Sequence, residues 1–74
     1  MLPRREAQLR RYALVYLGKA VVAVSDQVPG KRSAMKSAMY DRPRIALRDV
    51  RRAQAALKHA EDLLEEWLCV REMA

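Results

Sequence analysis

Apolar residues recur through the second half of the chain in alternating steps of four and three. From Ala46 the series reads Val50, Ala53, Leu57, Ala60, Leu64 and Trp67, and Arg71 closes it. A 3.5-residue repeat held this long predicts one helix lying along another. One of the two repeat positions is alanine three times, at Ala46, Ala53 and Ala60, before Trp67 takes it. Alanine there lets a partner backbone approach closely, as longer side chains would not. No breaker interrupts the stretch from Pro43 to Met73, which predicts roughly 46 Å of helix.

A second helix is predicted at the start, over residues 3–25. Pro3 suits a first helical turn, where its missing N–H costs nothing. Leu9, Tyr12, Ala13, Tyr16, Leu17, Ala20, Ala23 and Val24 then fall on one broad face at helical spacing. Leu14 and Val21 widen it along one edge. A hairpin partner covers only one side of a helix, so this much apolar surface calls for a second contact. The β-branched residues of this segment also permit a strand. A signal peptide is opposed by Glu6 and Lys19, which interrupt the apolar run, and that run is too short to span a bilayer.

Between the helices lies residues 26–42, opened by the turn signal Val28-Pro29-Gly30. Ser33 is a candidate N-cap for a short helix, and Asp41 a candidate N-cap for the long one. The expected architecture is therefore all-α: one domain over 1–74, an antiparallel helical hairpin with a long second helix. At this length a single core is marginal, and self-association is a usual remedy, so the expectation extends to a four-helix homodimer. Tyr16, Ala20, Val24, Ala46, Val50, Ala53, Leu57, Ala60, Leu64 and Trp67 are the predicted core and dimer residues.

Charge sharpens the orientation. The long helix holds Arg42, Arg44, Arg48, Arg51 and Arg52 at its start and Glu61, Asp62, Glu65, Glu66 and Glu72 at its end. Both groups oppose the helix dipole. An antiparallel hairpin compensates the acidic end by laying Arg4, Arg5, Arg10 and Arg11 beside Glu61, Asp62, Glu65 and Glu66. Asp49 and Arg71 intrude on the apolar arc and are expected to find opposite charges between subunits or across a bundle end. Of the net charge of +6, five units fall between Ser25 and Ala55, around the connection and the start of the long helix. There Lys31, Arg32, Lys36, Arg42, Arg44 and Arg48 gather with Met35, Met39 and Tyr40. Adaptable methionines and a tyrosine among cations suit a partner-binding surface; the plainer reading is a solvated loop capping the core.

Enzymatic chemistry is not expected. With two glycines and one histidine, the chain offers no phosphate loop, no catalytic triad and no spaced metal-ligand cluster. No cofactor is implied. His59 reads as a structural boundary residue, and the lone Cys69 fits a reducing cytoplasm. Nucleic acid is the rival partner. Arg44, Arg48, Arg51 and Arg52 share one side of a helix start, and the preceding short helix loosely mimics a helix-turn-helix. Its turn lacks glycine, however, and base-reading asparagine is absent.

In length, arginine and alanine bias and absence of catalytic residues, the chain resembles small phage-encoded proteins that disarm host bacterial regulators or defences. Anti-CRISPR proteins and quorum-sensing anti-activators are of this class. The alanine heptad, Arg42 to Arg52 and the Met35–Tyr40 segment are the features such inhibitors would use. The resemblance implies a bacterial regulator or defence complex as partner, bound in the host cytoplasm and inhibited by occlusion of a functional surface.

Overall fold

The computed structural model describes residues 4–73; the expected place of Pro3 in the first turn lies outside them. The order is α1 (Arg4–Val24), a connection carrying α2 (Ala34–Met39), and α3 (Pro43–Met73). α1 and α3 run antiparallel, with Arg5 beside Glu66, Tyr16 beside His59 and Arg32 beside Asp49. The body measures 50 × 20 × 10 Å, two helices wide and one helix thick.

Alanine closes the hairpin. Leu9, Ala13, Ala20 and Ala23 of α1 are buried, as are Ala53 and Ala60 of α3, and Ala56 packs against the same cluster. Among the described residues, Leu9 is the one large apolar side chain that is fully covered. The two stripes of the heptad therefore part company. Ala53 and Ala60 face α1, with Ala46 and Trp67 half-buried at the ends of their stripe. Val50, Leu57 and Leu64 stay 37, 47 and 40 % exposed, and Val24 of α1 is exposed as well. Close approach through alanine narrows the contact, so one side of α3 meets α1 and the adjacent stripe turns away.

Local chemistry ends each element. Ser25 N–H returns to Val21 carbonyl at 2.8 Å, and Gln27 N–H donates to Ser25 Oγ. Pro29 followed by Gly30 at φ 72° makes a turn in which glycine meets no steric penalty. Ser33 is the N-cap of α2, its Oγ accepting from Lys36 N–H at 3.2 Å.

Asp41 has a different role from the expected N-cap. Its φ is 58°, in the left-handed region. Asp41 N–H donates to Ala38 carbonyl, and Arg42 N–H to Ser37 carbonyl at 2.8 Å. This is a Schellman ending for α2, with aspartate in the place glycine usually takes. Arg42 is consequently the residue that leads into α3, its carbonyl accepting from Ala46 N–H at 3.0 Å.

Candidate interaction surface

The connection and the start of α3 form one end of the molecule, and it is basic. Lys31, Arg32, Met35, Met39, Tyr40, Arg42, Arg44 and Arg48 are all exposed there. Met39 and Tyr40, 71 and 75 % exposed, do not cap the core. Lys36 is spent on the fold instead: its ammonium donates to the carbonyls of Val28 and Lys31, each at 2.9 Å, and ties the loop to α2. Arg32 is partly committed too, its Nε 3.9 Å from Asp49 Oδ2.

Asp49 is a feature the periodicity flagged only as an intrusion. It is 2 % exposed, and Oδ2 has no hydrogen-bond partner, so Arg32 supplies charge compensation without a close contact. Its cation comes from the connection of the same chain, at the basic end of the hairpin. Arg71 likewise pairs within the chain, at 3.5 Å from Glu6. Glu6 is buried, and a signal for it existed: Glu6, Ala13 and Ala20 form their own heptad along α1.

An open groove of about 820 Å³ leads from Asp49 along one face of the hairpin. Its lining includes the small residues Gly18, Ala23, Ala55 and Ala56, and Lys19, Lys31, Arg32 and Arg52 add four cations. At its far end Tyr16 stacks on His59, ring centroids 4.7 Å apart and planes 15° from parallel, and Lys19 lies over the Tyr16 ring. The sequence placed His59 at a boundary, but no spacing rule could pair it with Tyr16 across the hairpin. The opposite face is different. There Leu17, Leu57, Ala60, Leu64 and Leu68 line an apolar groove bordered by Glu61 and Glu65.

The acidic half of α3 is compensated less by α1 than expected. Among the described residues Arg5 pairs with Glu66, whereas Glu61 and Asp62 are held by Lys58 of α3 itself. Asp62, by hydrogen bond and charge, and then Glu61 raise the Lys58 pKa above the ordinary lysine value. Glu61, Asp62 and Glu65 bring carboxylate oxygens within 4.8 Å of one another, all exposed. No helix among the described residues is long and apolar enough to cross a membrane.

No family model matches the chain, and neither the curated proteins nor the solved structures supply a match. Its surface has to be read from its own chemistry. Two assets stand out: a basic end bearing uncommitted Met39 and Tyr40, and two chemically distinct broad faces.

Proposed function

We propose that this chain is a non-enzymatic interaction protein. It works as a homodimer of helical hairpins, binds a partner protein through the basic end, and inhibits that partner by covering a functional surface. The observation that carries the reading is the exposure of Met39 and Tyr40 beside Arg42, Arg44 and Arg48. Large side chains left in water amid cations are what a hot spot for an acidic protein surface requires. Lys36 and the Schellman turn at Asp41 hold that end in one shape, which lowers the ordering cost of binding.

Nucleic acid is the second reading, and one observation favours it. Asp41 supplies the left-handed turn whose glycine the sequence lacks, so α2, the turn and α3 join as a short helix-turn-helix would. Exposed Arg44, Arg48, Arg51 and Arg52 would then contact phosphates.

Pull-down from a nuclease-treated bacterial lysate separates the two. The protein reading expects one stoichiometric protein retained by the native chain and lost with Met39→Asp or Tyr40→Ala, neither of which touches the core. Equal retention by those variants would sink it. DNA retention with a steep salt slope, abolished by Arg48→Glu with Arg51→Glu, would establish the rival.

A further inference from the structure

The two broad faces of the hairpin are not equivalent, and their difference determines where a second copy sits. The homodimer is part of the reading above; which face forms it and in which orientation is a separate question. The chain exposes 5915 Å², whereas a compact monomer of 8.5 kDa exposes about 4,650 Å². A stable interface takes about 800 Å² from each partner, so the excess is ample for one. The body is also one helix thick, while stable domains stack at least two layers around a core.

A two-fold dimer sets each patch against its own copy. On the grooved face that would oppose Lys19, Lys31, Arg32 and Arg52 to the same four cations. The other face carries aliphatic stripes, with Glu61 and Glu65 along their border. Leu14, Leu17 and Val21 follow one another on α1 at steps of three and four, and Leu57, Leu64 and Leu68 share one side of α3 at steps of seven and four. Leu17, Leu57, Leu64 and Leu68 line one continuous groove. We infer that a second copy of this chain covers this aliphatic face.

Charge then selects the orientation. Two dyads lay one hairpin on the other: one sets α3 antiparallel on α3 of the second copy, the other sets α3 over α1 and brings both connections to the same end. The second crowds two basic connections together. The first lays the arginine-rich half of α3 beside the acidic half of its counterpart, where Glu61 and Glu65 border the aliphatic groove. The dimer is therefore built on antiparallel α3 helices. Its basic ends lie at opposite poles of a body about 50 Å long, and both grooved faces point outward. Such a dimer engages two partner copies, or two sites of a symmetric partner.

Cys69 is a single exposed cysteine off the aliphatic stripe, so a nitroxide there reports the orientation by pulsed dipolar spectroscopy. With the helices crossing near Leu57, the antiparallel α3 pair puts the two labels roughly 35–40 Å apart, at 1.5 Å per residue. The alternative dyad puts them roughly 15–20 Å apart, across the diagonal of a bundle with helix spacings of 8–10 Å. The short distance, or no intermolecular coupling at high concentration, overturns the proposal. Leu57→Lys should halve the native mass in solution, and Val22→Lys on the grooved face should leave it unchanged. The reverse result assigns the interface to the other face. If Leu57→Lys unfolds, the distance on the native sequence still decides. Loss of the dimer leaves the partner reading standing, because that rests on Met39 and Tyr40.

Discussion

Glu6 and Arg71 close the open end of the hairpin from opposite ends of the chain. Arg71 Nε lies 3.5 Å from a Glu6 oxygen, and its guanidinium sits 5.1 Å from the centre of the Trp67 ring. Each charge also suits its own helix dipole, acid in the first turn of α1 and base in the last turn of α3. Glu6 is 3 % exposed, so Arg71→Ala would leave a buried carboxylate without its cation. The arginine itself is more than half exposed, which places the cost between that of surface and buried pairs, about 1–2 kcal/mol. A fall in Tm of roughly 5–15 °C is expected for a domain this small. Thermal melts followed by circular dichroism at fixed chain concentration check it, and an unchanged Tm would remove the pair from the fold's support.

The alanine seam has its own test in Ala53→Leu. Ala53 is buried against Ala20 and Ala23, and three extra carbons there must separate α1 from α3. Overpacking of this kind costs about 1–3 kcal/mol. Denaturant titration should show a lower midpoint. Helicity and oligomeric state that both stay native would refute close packing at this point.

Asp41 separates its two roles by sign. In the left-handed conformation a non-glycine residue is strained, so Asp41→Gly should hold or raise stability, by up to about 1 kcal/mol. An N-cap aspartate replaced by glycine would instead lose a few tenths of a kcal/mol. Asp41→Val should destabilise by more than about 1 kcal/mol, because a β-branched residue tolerates that φ poorly. Equilibrium unfolding of both variants gives the answer.

Much of the fold was legible in the residues because its signals are local. The heptad from Ala46 gave α3, the face from Leu9 to Val24 gave α1, and Ser33 gave the start of α2. What escaped was long-range. The buried partners of Arg32 and Arg71 depend on how the connection folds back, which periodicity does not encode. The Tyr16–His59 stack needs the register between the helices. Asp41 misled because aspartate serves both as an N-cap and in left-handed turns, and the six-residue length of α2, invisible in its composition, decides between them. At the candidate surface, the residue types pointed to a basic end, but Lys36 looked as free as its neighbours until its two carbonyl contacts were known.

The proposed assembly turns on whether this thin hairpin is complete by itself. Its alanine seam joins α1 to α3 within one chain, and its aliphatic face leaves Leu57, Leu64 and Leu68 exposed. Sedimentation equilibrium of the native chain across micromolar concentrations tests this most directly. A mass twice that of the 8.5 kDa chain is the predicted result. A monomer mass throughout, with helicity retained, would contradict it.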